Sequence, residues 1–547
     1  MNSKSSRLLL GILIWFISPC LNAQSHWSKS NDSPKLVVGI VVENMRPDYI
    51  DRYWNKFQDN GFKKLYSQGT VFSSFRMEQH VQSYSTGTAT LFTGVYGATH
   101  GIIGAAWYDR LKEKEVDCVE DDYYFTVGAD TKAGNTSPNN LMSSTIGDNL
   151  KVFTMGKSKV FSVALNDVSA IFSAGHAADG AYWFDEVSGR MISSSFYINT
   201  FPDWVRLFNS DGFANIYTHR NWTTLLPQTS YEESLEDEYY LEKGYYDNWN
   251  TFPHTINKYV DKAGNFKPLK TTPFGNTLIS DFTTELINSE DIGNDNYTDM
   301  LTVFFSSMDY QNGLFGPASM EMEDIYLRLD QQIGNLIDLL EKKYGKDQIV
   351  VYLTANTSAS YPVEYLNKEF NIAVGNFSPE SAFALLTSFL NITYGDGKWI
   401  EHVAGQQVYL NHKLIESNKV DRKEIIDKAS TFINQFQGVK IVIPSYDLER
   451  GGSGNNANAA VYNSFCKNRS GDFSYILEEG WQPIYKFKNV NYTDQTHIPL
   501  VFYGGKIQPR EVKTRKSAID LVPTLCDLIG IPVPDRCRGQ IMEELAN

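Results

Sequence analysis

The chain has 547 residues, of which 42% are hydrophobic and 21% are charged, and its formal net charge is −15 at pH 7. This length supports a deep hydrophobic core and more than one lobe. Because an acidic chain repels nucleic acid and anionic lipid head groups, the charge argues against nucleic-acid binding.

The first residues carry the pattern of an export signal. Lys4 and Arg7 precede an apolar run from Leu8 to Ile17, and a plausible cleavage site follows Ala23. The run is too short to span a bilayer comfortably. We therefore expect a signal peptide at residues 1–23. The remaining chain is expected in the periplasm or at the cell surface, and not as an integral membrane protein.

Four cysteines remain after the predicted cleavage. An oxidising compartment permits two disulfides among them, in three possible pairings. Their spacing matches no zinc-binding pattern, so we interpret them as structural. The four are Cys118, Cys466, Cys526 and Cys537.

Continuous apolar runs predict strands that are buried on both faces of a parallel sheet. These runs lie at residues 36–42, 159–165, 301–305, 349–353 and 498–503. Helical patterns lie between them, the best from Met322 to Lys343, with its apolar residues on one face. The alternation predicts an α/β fold with a mostly parallel sheet flanked by helices on both faces.

Two stretches interrupt this alternation. Residues 205–290 are rich in Tyr, Trp, Asn and Thr, and residues 362–480 contain another helical pattern and a Gly-Gly-Ser-Gly segment. We interpret the first as an insertion and the second as a cap insertion over the sheet. The core is then predicted to comprise residues 34–204, 291–361 and 481–547.

Several stretches resemble the alkaline phosphatase superfamily, most closely its exported, single-chain, phosphate-irrepressible bacterial branch. They occur in the family's order and imply an alkaline-phosphatase-like core over nearly the whole chain. The resemblance also implies two zinc ions that activate a Thr or Ser nucleophile and clamp the attacking and leaving oxygens. The stretches are VVGIVVENMRPDYIDRYW, LFTGVYGATHGIIGAAWYDR, FSSMDYQNGLFGPASMEMEDIYLRLD, VVYLTANTSAS, THIPLVFYGG and AIDLVPTLCDLIGIP.

Most of the metal-binding positions implied by this resemblance are altered. The positions are Glu43 and Asp309, which keep a carboxylate, and Gly313, Asn356, Thr357 and Lys488, which replace the family's other carboxylate and its histidines. Amide, hydroxyl and ammonium groups bind Zn²⁺ poorly. We therefore expect no metal site and no cofactor.

The positions that the resemblance implies for catalysis are altered as well. Tyr84 lies nearest the nucleophile position, and a one-residue shift would place Ser85 there. The Asn that contacts a phosphoryl oxygen is replaced by Ala105, and the family's basic pair by Asn166 and Val168. Glu43 also belongs to this set of positions. We expect none of them to act as a catalytic residue.

Two functions remain open at this point. The sequence favours an exported, catalytically inactive pseudophosphatase that binds one or more protein partners in the cell envelope. The alternative is a metal-dependent phosphomonoesterase or phosphodiesterase, a phosphoric ester hydrolase. Its zinc site would be rebuilt from Glu43, Asp309 and ligands of the cap.

Overall fold

A computed structural model describes residues 33–80, 82–242, 244–245, 249–306, 314–449, 456–484 and 496–545. The predicted signal peptide lies outside these ranges, so its assignment stays a prediction. Among the helices that the model describes, none is long and apolar enough to cross a membrane.

The strands range from two to eight residues. In chain order they are β1 (Leu36–Glu43), β2 (Thr70–Phe72), β3 (Phe75–Arg76), β4 (Ala106–Asp109), β5 (Lys114–Asp117), β6 (Thr126–Val127), β7 (Val160–Ala164), β8 (Gly180–Asp185), β9 (Arg190–Ser194), β10 (Asn221–Trp222), β11 (His254–Thr255), β12 (Asp299–Ser306), β13 (Ile349–Thr354), β14 (Asn376–Phe377), β15 (Ile400–Ala404), β16 (Gln407–Leu410), β17 (Val439–Pro444), β18 (Phe473–Leu477), β19 (Gln482–Pro483), β20 (His497–Ile498), β21 (Leu500–Gly504), β22 (Arg510–Val512) and β23 (Lys516–Ser517).

The helices cover the stretches between these strands. In chain order they are α1 (Asp48–Tyr53), α2 (Phe62–Gln68), α3 (Tyr84–Thr93), α4 (Gly97–His100), α5 (Ile146–Phe153), α6 (Asp167–Ala174), α7 (Asp203–Ser210), α8 (Phe213–Thr218), α9 (Ile256–Ala263), α10 (Pro273–Ser289), α11 (Met320–Tyr344), α12 (Val363–Glu369), α13 (Pro379–Tyr394), α14 (His412–Ser417), α15 (Arg422–Ile433), α16 (Ser445–Glu449), α17 (Asn456–Ser464) and α18 (Leu521–Ile529).

The main sheet has the strand order β22-β2-β21-β13-β1-β12-β7-β8-β9-β6 within the described residues. β1 pairs in parallel with β12 and β13, and β12 pairs in parallel with β7. Every residue of β1 is buried, because neighbouring layers cover both faces of the sheet. The predicted α/β class with a mostly parallel sheet flanked by helices is confirmed.

One predicted strand runs against the parallel direction. The apolar run at residues 498–503 forms β20 and β21, and β21 pairs with β13 in the antiparallel sense. Mixed sheets of this kind are common in large α/β proteins, and a continuous apolar run reports burial on both faces, not strand direction.

The longest described helix, α11, begins and ends where its sequence provides caps. Ser319 accepts a hydrogen bond from the backbone N–H of Met322 (3.1 Å), and Glu323, which forms an ion pair with Lys56, lies in the first turn, where negative charge complements the helix dipole. Its apolar face is buried as the sequence predicts, through Met322, Ile325, Leu329, Ile333, Leu336 and Leu340.

Two hydrophobic clusters divide most of the buried residues. The larger cluster surrounds the main sheet and includes residues of the stretch 205–290, such as Phe208 and Phe282. A second cluster, formed by residues between Phe377 and Leu477, packs beside the four-stranded sheet β15-β16-β18-β17. The domain boundaries proposed above stay predictions.

The sequence left the disulfide state of the four cysteines open. All four are free thiols, so the two disulfides that an oxidising compartment would permit are not formed. Cys118, Cys466 and Cys526 are buried, and burial raises the pKa of Cys118 and Cys526 above the ordinary thiol value. These thiols are therefore packed as small apolar groups.

Candidate functional site

The carboxyl ends of parallel strands bring several predicted residues to one edge of the main sheet. Glu43 is the last residue of β1, Asn356 and Thr357 follow β13 after one intervening residue, and Asn166 follows β7. In open α/β sheets this edge is where ligands bind. The sequence-predicted positions that the model describes therefore converge in space.

Three of the predicted metal positions fall in parts of the chain that the model does not describe. Asp309 and Gly313 belong to residues 307–313, which follow β12, and Lys488 belongs to residues 485–495. Their assignment rests on the sequence alone and stays a prediction.

Helix α3 places Tyr84 at this edge. Its N-cap, Ser83, accepts a hydrogen bond from the N–H of Thr86, whose side chain accepts one from the N–H of Ser83, which forms a capping box. A Cβ on Gly87 would lie 1.8 Å from the carbonyl oxygen of Asn356. Glycine therefore lets the first turn of α3 pack directly against the chain that follows β13.

Glu43 is held by two side chains of the segment that follows β7. Asn166 Nδ2 donates a hydrogen bond to Glu43 Oε1 (2.7 Å), and the Ser169 hydroxyl donates to the same oxygen. Asn166 also caps α6, because its Oδ1 accepts from the N–H of Ser169 (2.8 Å). Burial raises the pKa of Glu43, and the hydrogen bonds from Ser169 and Asn166 oppose this rise.

A second set of hydrogen bonds joins β1, β13 and α3. Thr357 Oγ1 donates to Asn44 Oδ1 (2.7 Å), and Asn44 Nδ2 donates to Tyr84 Oη (2.7 Å). Asn356 Nδ2 donates to Thr88 Oγ1 (3.2 Å). Asn44 has φ of +59°, a left-handed conformation that asparagine tolerates better than most residues.

The other predicted catalytic positions do not join these hydrogen bonds. Ala105 is exposed, and its carbonyl oxygen accepts from the N–H of Cys118 (2.8 Å). Val168 packs against the main hydrophobic cluster. Ser85 is buried, with its hydroxyl 2.8 Å from the hydroxyl of Ser83.

An acidic pair beside the site was not identified from the sequence. Burial, followed by the charge of Asp117, raises the pKa of Asp167 to about 6, while the charge of Lys270 opposes this rise. Burial also raises the pKa of Asp117. Asp117 and Asp167 lie fifty residues apart on different elements, so no local pattern indicates their proximity.

Asp167→Asn is expected to raise the free energy of unfolding by about 1–3 kcal/mol at about pH 8, with a much smaller gain at about pH 4.5. The folded-state pKa of this carboxyl is raised, so ionisation costs stability as pH rises from the unfolded value of about 4 through the folded value. An asparagine does not ionise. Urea titrations of both variants at the two pH values measure the difference.

The matched control for this substitution is Asp130→Asn, at an exposed loop position. That variant is expected to change stability little at either pH. If Asp167→Asn raised the free energy of unfolding equally at both pH values, burial would not disfavour the ionised form of Asp167.

The described residues do not fit the zinc pair that the resemblance implies. Glu43 carries the only carboxylate among the described ligand positions, and its Oε1 already accepts two hydrogen bonds. No group of three or more His, Cys, Asp or Glu side chains that could hold a metal occurs in the described ranges. His100, which packs against α3, uses Nε2 on Thr90 (3.2 Å) and Nδ1 on the N–H of Ile102 (3.1 Å).

Comparison with known proteins places the chain in a family. The fold is that of the alkaline phosphatase type: a crystal structure of wild-type alkaline phosphatase PafA aligns with a TM-score of 0.89 and 32% identity, over 94% of this chain and 99% of that chain. Residues 37–500 match the model of the type I phosphodiesterase / nucleotide pyrophosphatase family. The chain belongs to this family.

Two curated relatives extend the match over nearly the full length. Alkaline phosphatase PafA of Elizabethkingia meningoseptica is 33% identical over 546 residues, which cover 98% of each chain. Alkaline phosphatase PhoV of Synechococcus elongatus is 31% identical over 99% of this chain and 100% of the relative. The resemblance to the alkaline phosphatase superfamily is confirmed.

These relatives correct the functional prediction. The prediction of an inactive pseudophosphatase that serves as a binding protein is wrong, because these two relatives, at 33% and 31% identity over nearly the whole chain, are named alkaline phosphatases. That prediction gave the altered ligand and catalytic positions more weight than the resemblance that spans nearly the whole chain. The expected protein partners in the cell envelope stay a prediction.

Proposed function

We propose that this chain hydrolyses phosphoric esters at the carboxyl edge of its main sheet. The observation that carries the proposal is the full-length similarity to alkaline phosphatases, in sequence and in fold. The predicted signal peptide supports an activity outside the cytoplasm. The site residues that could take part are those of the described hydrogen-bonded edge.

Glu43 is the side chain at this edge best suited to move a proton. It is a buried carboxylate fixed by Asn166 and Ser169, and burial raises its pKa toward the working range of a general base. In the proposed step Glu43 takes a proton from water while the water oxygen attacks phosphorus. The ester P–O bond then breaks, and the leaving alkoxide takes the proton back from Glu43.

The charges around the edge favour a phosphodiester over a phosphomonoester. The positions of the family's basic pair hold Asn166 and Val168, and Lys270 donates to Glu186 (2.9 Å). Glu43 and the pair Asp117 and Asp167 add negative charge when ionised. A dianionic monoester is repelled more strongly than a monoanionic diester in such surroundings.

Glu43→Gln is expected to lower the turnover of bis(p-nitrophenyl) phosphate by about 10²–10⁴-fold, the usual contribution of general acid–base catalysis. Glutamine keeps an oxygen that can accept from Asn166 and Ser169, so the fold should be retained. The wild type should also lose activity at low pH as Glu43 is protonated, and the variant should not. Initial rates across pH measure both effects.

The control is Glu364→Gln, at an exposed position of α12, which should leave the rate unchanged. The same assay with p-nitrophenyl phosphate tests the preference for diesters. Wild-type rates no higher than those of buffer, for both esters and with or without added zinc, would refute the proposed hydrolysis.

A further inference from the structure

We infer that this chain holds no zinc pair at the sheet edge, because a hydrogen-bonded network around one buried carboxylate replaces the ions. The network consists of Glu43, Asn44, Tyr84, Thr88, Asn166, Ser169, Asn356 and Thr357. The inference concerns the chain's own side chains and does not depend on whether the chain hydrolyses esters.

The types of donor atom give the first argument. Zinc in proteins is bound by thiolate, imidazole and carboxylate groups. Among the six positions that the family resemblance assigns to ligands, only Glu43 and Asp309 are of these types. Two carboxylates without an imidazole cannot complete two tetrahedral sites, and each lost ligand reduces affinity further.

The state of the buried polar atoms gives the second argument. A metal site built without its metal leaves ligand atoms that are buried and lack a partner, which is costly. Within the described ranges, no residue of this network is among those with a buried side-chain atom that lacks a hydrogen-bond partner. The described replaced positions, Asn356 and Thr357, are therefore engaged in hydrogen bonds of this network and leave no unpaired donor atoms directed at an ion.

The charge balance gives the third argument. Carboxylates that lie close together need a cation between them, or else one of them must be protonated. Position 356 carries a neutral amide beside Glu43, because Thr354, two residues earlier, pairs with Val41, two residues before Glu43. The chain lacks the family's carboxylate at position 356, so less negative charge remains at this edge for zinc ions to balance. The replacement therefore agrees with the proposed absence of the ions.

The first test is the metal content of the full chain after equilibration with excess zinc and gel filtration. We expect well under one zinc per chain. Thermal unfolding should be the same with zinc and with a chelator, whereas a ligand at 1,000 times its dissociation constant would add about 4.1 kcal/mol of stability. One or more zinc ions per chain would overturn the inference.

The second test is Asn356→Asp, which returns one family ligand. It should lower the thermal midpoint, more at about pH 8 than at about pH 5, because a second buried carboxylate then faces Glu43. Asn221→Asp, at an exposed position of β10, is the matched control and should change the midpoint little.

Zinc uptake with a raised midpoint in Asn356→Asp would show that the edge is a metal site lacking one ligand, which would overturn the inference. An unchanged midpoint at both pH values would overturn the charge argument. Neither measurement uses turnover, so a failure of the proposed hydrolysis would be recognised separately.

Discussion

Asp472→Asn is expected to lower the free energy of unfolding by about 3–5 kcal/mol, the usual cost of removing one partner from a buried ion pair. Asp472 is fully buried and accepts from Arg110 Nη2 (3.0 Å), His412 Nε2 (2.7 Å) and Arg422 Nη2 (2.8 Å). The backbone N–H of Leu410 also donates to it (2.8 Å). Asparagine removes the negative charge to which these side chains donate.

The position of Asp472 explains why the effect should extend beyond one loop. Arg110 follows β4, which pairs with β5, whereas His412 and Arg422 lie on α14 and α15. Arg110 Nη1 donates in addition to the carbonyl oxygen of Ser470 (3.0 Å). Asp472 therefore links the β4-β5 hairpin to the stretch that contains the second hydrophobic cluster.

The pH dependence of this contribution follows from the pKa of Asp472. Burial alone would raise this pKa, but the hydrogen bond from His412 and the charge of Arg110 outweigh burial and hold it well below its usual range. The stabilisation is therefore fully present above the unfolded value of about 4 and is lost only as pH falls through the lower folded value.

Urea titration and calorimetry at neutral pH measure the loss. The control is Glu511→Gln, which removes an ion pair with Lys513 whose side chains are 52% and 79% exposed, and which should have little effect. If Asp472→Asn changed the free energy of unfolding as little as the control does, the side chains that donate to position 472 would not need its negative charge.

A sixfold variant that restores the family's residues is expected to bind zinc and to hydrolyse p-nitrophenyl phosphate about 10³-fold faster than the wild type, since metal ions supply several kcal/mol of transition-state stabilisation. The substitutions are Glu43→Asp, Tyr84→Thr, Gly313→His, Asn356→Asp, Thr357→His and Lys488→His. Single reversions should gain nothing, because residues that act as a unit are not additive.

The sixfold variant should still hydrolyse p-nitrophenyl phosphate more slowly than an enzyme that has all of the family's catalytic residues. Ala105, Asn166 and Val168 leave the phosphoryl oxygens without their usual partners, and one lost preorganised donor typically costs about 10²–10³ in rate. Metal analysis and initial rates with and without a chelator measure the outcome. A fivefold variant that retains Asn356 serves as the control and should bind less zinc. If the sixfold variant bound no zinc, the backbone at this edge would no longer have the geometry of the family's metal site.

Several features of the fold could be predicted from local patterns. The continuous apolar run of β1 indicated a buried strand, and the apolar face of α11 indicated a helix within two residues of its observed bounds, Met320–Tyr344. Both patterns depend on neighbours in sequence, through the side-chain periods of strands and helices. The direction of β21 could not be predicted in this way, because it depends on which strand it meets.

The function was the least predictable part. Examination of single positions such as Gly313 and Asn356 favoured an inactive protein, and full-length similarity to alkaline phosphatases contradicts that prediction. The residue at one ligand position shows only which atoms could bind a metal there. It gives no information about how much of the family's sequence and fold the rest of the chain has retained.

Local patterns were enough to predict the buried strands, the main helix and the chemical types of the side chains at the sheet edge, because composition and periodicity are properties of neighbouring residues. How those side chains are used depends on contacts between distant parts of the chain. Thr357 reaches Asn44 across 313 positions of the chain, and Asn166 reaches Glu43 across 123. Such hydrogen bonds depend on strand order and on the close approach of α3 at Gly87, and neither leaves a signal in neighbouring residues.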